Sequence, residues 1–157
     1  MCTATDLLIL DFSKAFDTVP HRHLFSKLNH YGIVGKTNKW IESWLCHRNQ
    51  KVVLDGSSSP DSPVQSGVPQ GTVLGPIMFL LYVNDIGDKT LPQASIKLFP
   101  DDCHLYRTIN TREDEEQLQA DLNTMIEWFN TWLMSFNADK CHLLKIKRHR
   151  NIISHRG

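Results

Sequence analysis

The feature that most constrains this chain is a pair of adjacent aspartates behind an apolar segment. Asp101 and Asp102 follow residues 98–100, and Asp11 follows the apolar run at residues 7–10. Neighbouring carboxylates repel each other, and a cation shared between them relieves that repulsion. Buried strands of one sheet can bring their ends to a common edge. The pattern therefore predicts three acids around a divalent metal ion, as phosphoryl transfer requires.

The same aspartate pair also fits an ordinary turn, because Asp side chains hydrogen-bond to nearby backbone. Residues 94–99 and 103–109 have the pattern of two short strands. They predict a hairpin with Asp101 and Asp102 at its tip. From the residues alone, both the metal site and the plain turn stay open.

Length and composition indicate one globular domain. With 157 residues, 41% hydrophobic and 22% charged, the chain is expected to form one core and to bury ~70% of its unfolded surface. Lys plus Arg and Asp plus Glu number 17 each, so binding of nucleic acid would have to be local. We find no signal peptide and no apolar stretch long enough for a bilayer. We therefore expect an intracellular protein of the nucleus or cytoplasm, with reduced cysteines and no membrane contact.

Hydrophobic periodicity and capping residues predict the other elements. Helices are expected from Pro20 to Gly32, from about Thr37, over 77–86 and over 112–133, and further strands over 7–12, 50–54 and 141–146. The segment 112–133 is the clearest helix, because acids fill its first turn and apolar residues form one stripe. The tryptophans at positions 40, 44, 128 and 132 are assigned to packing.

A glycine-rich loop spans residues 66–76, with three glycines and two prolines in eleven residues. Glycine lets a backbone or a ligand approach closely, and a helix N-terminus follows. A phosphate or a base is one possible occupant. An ordinary loop that enters a core helix is the other interpretation, since the motif is not a Walker pattern.

Four sequence motifs follow one another over roughly residues 5 to 147: residues 10–17 (LDFSKAFD), 66–71 (SGVPQG) with 74–76 (LGP), 99–102 (FPDD) and 136–141 (FNADKC). Taken together and in order, these motifs resemble the palm region of reverse transcriptases from non-LTR retrotransposons, in particular the jockey-like group. The resemblance implies an α+β fold that is polymerase palm-like, with a small, mostly antiparallel sheet backed by helices. Residues 1–147 would form a partial palm domain without fingers or thumb, and 148–157 a disordered basic tail.

The resemblance also implies an activity and a metal site. The family adds deoxynucleotides from dNTPs to a DNA primer on an RNA template. Asp11, Asp101 and Asp102 would be catalytic and would bind two Mg²⁺ ions, with Mn²⁺ as an alternative. Lys140 matches a lysine near the triphosphate, where it would act as a proton donor.

Further positions match the family's nucleotide and template contacts. The Phe12 carbonyl would be an additional metal ligand, and the Phe16 ring would lie under the sugar and exclude a 2′-hydroxyl. Core packing is the alternative role for Phe16. The residues expected along the template and the incoming nucleotide are Gly67, Pro69, Gln70 and Gly71.

Pro100 departs from the family, which usually has a small or flexible residue there. Proline fixes φ and has no N–H, so it can displace Asp101. We therefore expect a truncated retroelement product with weak or no polymerase activity alone. Two other functions stay open: a metal-dependent nuclease or phosphohydrolase using the same acids, and a non-catalytic palm fragment that binds nucleic acid or protein.

Overall fold

The computed structural model describes residues 4–89, 94–99 and 102–147. Pro100, Asp101 and the predicted tail at 148–157 lie outside these residues. The chain forms two compact units. We call them the sheet unit, whose described residues fall within 4–12, 87–127 and 136–147, and the helical unit, which comprises 13–86 and 128–135.

The elements follow one another in an α+β order. They are β1 (Ala4–Asp11), α1 (Ala15–Thr18), α2 (His21–His30), α3 (Gly35–Leu45), β2 (Asn49–Gln50), β3 (Val53–Leu54), β4 (Ser57–Ser58), β5 (Ser62–Pro63), α4 (Leu74–Val83), a 3-10 helix (Asn84–Lys89), β6 (Ser95–Leu98), β7 (Asp102–Ile109), α5 (Arg112–Thr131), a second 3-10 helix (Ala138–Lys140) and β8 (His142–Lys147). The expected strand at the start, the helix that follows Pro20 and the long helix α5 are confirmed. The two strands of the expected hairpin are present as β6 and β7, but Asp102 is the first residue of β7 rather than part of the tip, and Asp101 lies outside the described residues.

The sheet unit is built on four antiparallel strands in the order β6-β7-β1-β8. Successive side chains of a strand point to opposite faces of the sheet. In β1 the buried residues are Asp6 and Leu10, and in β7 they are Cys103, Leu105 and Arg107. These residues share one face of the sheet. The residues that alternate with them, at odd positions of β1 and even positions of β7, share the other face.

Helix α5 covers the buried face of this sheet. Leu118 and Met125 of the helix are buried. The guanidinium of Arg107 donates to the Asp121 carboxylate at 2.8 Å, and both side chains are almost fully buried. A buried charge needs a partner of this kind, because desolvation of an unpaired ion is costly. The pair fixes the helix against β7, which confirms a sheet backed by a helix.

The helical unit has its own buried cluster. Val19, Leu24, Leu28, Phe79 and Tyr82 are all fully buried. They come from the segment before α2, from α2 itself and from α4. A long apolar helix was expected over 77–86. In the structure α4 begins earlier, at Leu74, and after Val83 the chain continues as a 3-10 helix.

A buried cation holds the helical unit together. The Lys27 ammonium on α2 donates to the carbonyl oxygen of Tyr82 and pairs with the Asp85 carboxylate, both at 2.5 Å. It also lies 3.8 Å from the centroid of the Trp132 ring and 4.4 Å from that of Trp128. Cation–π attraction and hydrogen bonds together offset the desolvation of the ammonium.

Two expectations about the segment 40–60 were wrong. The single strand at 50–54 is replaced by two-residue strands, in which β2 pairs with β5 and β3 with β4. All these residues are exposed, so burial imposes no continuous strand. Trp40 is not in the core: it is 55% exposed and stacks on Trp44 at 6.5 Å between ring centroids. Residues four apart are neighbours on a helix surface, so the spacing brings the two rings together without placing Trp40 in the core.

Within the described residues, no helix combines the length and the apolar character needed to cross a bilayer.

Candidate functional site

Two of the three predicted carboxylates face each other at the end of the sheet. Asp11 closes β1 and Asp102 opens β7, and the register makes them direct partners. Side chains at directly opposed positions of antiparallel strands lie on one face, with Cβ atoms about 4.5–5.5 Å apart. Both carboxylates are on the face away from α5. The Asp11 side chain is 18% exposed and Asp102 is half-buried.

Lys140 lies beside this carboxylate pair. Its ammonium is 3.5 Å from a carboxylate oxygen of Asp11, and the lysine side chain is 65% exposed. The Asn137 N–H donates to the Asp11 carbonyl oxygen at 2.9 Å, which fixes the segment before the lysine. Exposed ion pairs contribute at most about 1 kcal/mol. The lysine is therefore adjacent to Asp11 but free to move toward a ligand.

Phe12 supports the same corner of the sheet unit. It is 3% exposed, forms an antiparallel bridge with Phe136, and its ring stacks on the Phe136 ring at 6.0 Å between centroids. The first and last motifs of the sequence are thus packed together. The Phe12 ring is used for packing, while the role of its carbonyl as a ligand stays a prediction.

The donor set at the sheet end fits a hard divalent cation. Mg²⁺ prefers carboxylate oxygens and needs only one or two from protein when substrate phosphates and water complete its shell. Asp11 and Asp102 supply two such groups side by side. Across the part of the chain that the structure describes, no three His, Cys, Asp or Glu side chains cluster for metal binding. The third predicted ligand, Asp101, lies outside that part.

The neighbouring Cys103 is not a reactive thiol. Burial raises the pKa of Cys103 to about 12, and the adjacent Asp102 carboxylate acts in the same direction. A thiol nucleophile needs a lowered pKa. The sheet end is therefore a carboxylate and lysine site.

In the helical unit, the glycine-rich loop is held against α1. Gly67 has a left-handed φ of 87°, and a Cβ at this position would lie 2.8 Å from backbone atoms of Asp17. The Gly67 N–H donates to the Val19 carbonyl at 2.8 Å, and the Val68 N–H donates to the Phe16 carbonyl at 2.7 Å. Only glycine permits this conformation and this close approach.

The far end of the loop is held against α4. The Thr72 hydroxyl donates to the Pro69 carbonyl oxygen at 2.8 Å and accepts the N–H of Gly75 at 3.0 Å. Gly75 lies so close to the Pro69 carbonyl that a Cβ would overlap it. Between these anchors, Gln70 and Gly71 are exposed. The loop thus presents a short exposed tip on two fixed ends.

Phe16 is half-buried and its ring packs on Phe79 of α4 at 4.9 Å between centroids. This contact serves core packing, one of the two roles open to Phe16. A groove of about 770 Å³ within the helical unit is lined by Lys14, Arg48 and Gln70, among others. The groove brings two cations and the Asp17 carboxylate to the side of the loop.

Two side chains at this loop have no role in the sequence prediction. His21 Nε2 is 2.8 Å from the Gly67 carbonyl oxygen, and Arg48 Nη2 donates to the same oxygen at 3.0 Å. No motif marks either residue. A hydrogen bond to a backbone carbonyl leaves no pattern in the sequence, so only the fold reveals these contacts.

Comparison with known proteins agrees with this architecture. The sequence pattern of the family described as "Reverse transcriptase (RNA-dependent DNA polymerase)" matches residues 3–154. The chain is 30% identical over 139 residues to the RNA-directed DNA polymerase from mobile element jockey of Drosophila melanogaster, and the match covers 84% of this chain and 15% of that protein. It is also 30% identical over 157 residues to a probable RNA-directed DNA polymerase from transposon X-element of the same fly, which covers 88% and 16%.

A solved structure supports the fold. An apo telomerase from Candida tropicalis, truncated from its C-terminal domain, superimposes with a TM-score of 0.66 at 12% identity. The match covers 95% of this chain and 32% of that one. At this identity the likeness concerns the fold alone.

The matches cover nearly all of this chain but only a small part of each relative. The chain spans only 15 to 16% of the length of the jockey and X-element proteins, whereas nearly all of this chain matches the family pattern. The resemblance of its motifs to the reverse transcriptases of jockey-like non-LTR retrotransposons is confirmed by these relatives. The chain belongs to the reverse transcriptase (RNA-dependent DNA polymerase) family.

Proposed function

We propose that this chain carries the palm of an RNA-directed DNA polymerase, which adds deoxynucleotides to the 3′-hydroxyl of a DNA primer on an RNA template. The observation that carries the proposal is the register that puts Asp11 opposite Asp102. Residues 91 positions apart in the sequence meet there, and both belong to motifs that resemble the carboxylate motifs of the family. The palm would comprise residues 1–147.

Divalent metal ions are general cofactors of reverse transcriptases, and we propose that Asp11, Asp101 and Asp102 hold two Mg²⁺ ions here. When bound, these ions would make the primer hydroxyl a better nucleophile and neutralise the charge of the triphosphate. Asp11 and Asp102 offer their carboxylates on one open face of the sheet. Mn²⁺ would be accepted by the same oxygen ligands.

The chain's own residues would perform the remaining tasks. Lys140, whose ammonium is 3.5 Å from Asp11, would donate a proton to the departing pyrophosphate. The Phe16 ring, supported by Phe79, would exclude a 2′-hydroxyl and so select dNTPs. The Phe12 carbonyl would be a further oxygen ligand. Template and nucleotide contacts are assigned to the loop residues Gly67, Pro69, Gln70 and Gly71.

We propose that the isolated chain is a weak polymerase. Pro100 precedes the first aspartate of the pair, and proline fixes φ and removes a hydrogen-bond donor. A metal ligand displaced by about 1 Å can lose ~100-fold in rate. Rapid, processive synthesis by the 157-residue chain would contradict this part of the proposal.

Primer extension tests the function. A labelled DNA primer on an RNA template is incubated with the chain, Mg²⁺ and dNTPs, and the products are separated by length. We expect slow extension that Asp11→Asn abolishes. Asp61→Asn is the matched control, because Asp61 is an exposed loop residue and its loss should change nothing. Cleavage of nucleic acid without incorporation would refute the polymerase and favour a nuclease.

A further inference from the structure

The carbonyl oxygen of Gly67 is held by two side chains from different parts of the helical unit. The His21 ring nitrogen Nε2 lies 2.8 Å away, and His21 is 9% exposed. Arg48 Nη2 lies 3.0 Å away. A carbonyl oxygen can only accept, so His21 must carry a proton on Nε2. A backbone carbonyl oxygen has two lone pairs, so it can accept from both side chains at once.

Arg48 connects this oxygen with the end of a helix. Its Nε donates to the Leu45 carbonyl at the end of α3 at 2.9 Å, where helical carbonyls lack a partner. Its backbone carbonyl accepts the Val64 N–H at 2.8 Å. The planar guanidinium holds Nε and Nη2 in a fixed geometry, so one side chain donates to both carbonyls, and the ammonium of a lysine has no such fixed fork.

The Gly67 carbonyl lies next to a backbone contact with Phe16, the residue whose ring is proposed to exclude a 2′-hydroxyl. Val68 follows Gly67 and donates its N–H to the Phe16 carbonyl. Ser66 precedes Gly67 and donates its hydroxyl to the Asp17 carbonyl at 2.9 Å. A shift of the Gly67 carbonyl would therefore move the loop relative to the backbone of Phe16.

We propose that Arg48 and His21 are positioning residues for nucleotide selection. They fix the loop 67–71 at one distance from Phe16, so that the exposed tip and the Phe16 ring select the sugar of the same nucleotide. The proposal rests on the polymerase function proposed above. It adds two residues that no motif assigns, and it makes the hydrogen bonds to the Gly67 carbonyl a determinant of specificity.

The first test measures incorporation of one nucleotide opposite a template adenine, with dUTP or UTP as substrate, because these two differ only in the 2′-hydroxyl. We expect Arg48→Ala to lower kcat/KM for dUTP by about 10- to 100-fold and to lower the dUTP to UTP preference at least tenfold. Arg48→Lys should retain part of the preference for the deoxynucleotide. His21→Gln keeps a hydrogen-bond donor and should retain more of this preference than His21→Ala. Arg22→Ala, at an exposed position of α2, is the control and should match the wild type.

A merely structural role predicts a different result. Loss of folded protein would lower incorporation of both nucleotides equally and leave their ratio unchanged. An unchanged ratio in Arg48→Ala would therefore overturn the specificity claim.

Hydrogen exchange tests the positioning independently of activity. The Gly67 and Val68 amides should exchange at least tenfold faster in Arg48→Ala than in the wild type, while the amides of β1 keep their rates. Equal rates at Gly67 and Val68 would overturn the proposal. If the wild-type chain incorporates no nucleotide, the proposed function fails, and the exchange rates alone then decide whether Arg48 positions the loop.

Discussion

Substitution of Gly67 by alanine should release the glycine-rich loop from α1. The φ of Gly67 is 87°, and this left-handed region costs an L-residue about 1–2 kcal/mol. A Cβ would also lie 2.8 Å from the Asp17 Cα and carbonyl oxygen and 2.9 Å from the Phe16 carbonyl oxygen. These are backbone atoms, which cannot turn aside as a side chain does.

The steric part of this effect can be separated by a matched glycine. Overpacking costs about 1–3 kcal/mol, so Gly67→Ala should lower the free energy of unfolding by about 2–5 kcal/mol in all. Gly71 has a φ of 76°, and among the described residues beyond its chain neighbours no atom lies within 4 Å of the position that a Cβ would take. Gly71→Ala should therefore cost only the backbone strain, about 1–2 kcal/mol.

Tryptophan fluorescence during urea unfolding reports on the helical unit. All four tryptophans of the chain lie in the helical unit, as does Gly67. We expect the unfolding midpoint to fall further in Gly67→Ala than in Gly71→Ala. Equal midpoints in the two variants would refute the close contact between the loop and α1.

Three other predictions concern the helical unit. Lys27→Met should lower the free energy of unfolding by about 2–4 kcal/mol, because Asp85 loses its cationic partner and keeps the weaker Trp128 indole N–H at 3.2 Å. Urea unfolding at neutral pH measures this loss, and unchanged stability would contradict the role of the buried Lys27 cation. Burial lowers the pKa of Lys27 in the folded chain. Between this lowered pKa and the ordinary value of 10.5, the unfolded chain therefore binds more protons than the folded chain, and the free energy of unfolding rises with pH. Because Lys27→Met lacks this group, the difference in stability between the wild type and the variant should grow as the pH rises toward 10.5. Burial also raises the pKa of Tyr82, but Tyr82 is present in both proteins, so its effect cancels in the difference. If stability changes with pH in the same way in the wild type and in Lys27→Met, the effect of Lys27 is excluded. Gly75→Ala should destabilise although alanine gains about 1 kcal/mol of helix propensity, because its Cβ would overlap the Pro69 carbonyl; a stabilised variant would contradict this contact.

The parts of the fold that the sequence predicts are those with strong periodicity. The apolar run before Asp11, the strands on both sides of the aspartate pair and the long helix α5 each have a pattern that burial imposes. The sequence also predicted that acids from separate strands would share one edge of the sheet. The pairing of Asp11 with Asp102 has this form, while the roles of these acids stay predictions.

The parts that the sequence misses are held by contacts without a pattern. The short strands between 49 and 63 are exposed, so no alternation of apolar and polar residues marks them. Trp40 has helical spacing with Trp44, and spacing alone does not distinguish a core position from an exposed aromatic pair. His21 and Arg48 bind a backbone carbonyl, and any residue type has such a carbonyl.

Metal-directed cleavage of the polypeptide is the most direct test of the central claim. Fe²⁺ replaces Mg²⁺ at carboxylate sites, and with ascorbate and peroxide it cuts backbone that lies next to the bound ion. We predict cuts after β1 near Asp11 and at the β6–β7 connection near Asp102, which excess Mg²⁺ suppresses and Asp11→Asn abolishes. Cuts elsewhere, or cuts that persist in Asp11→Asn, would contradict a metal site shared by these two strands.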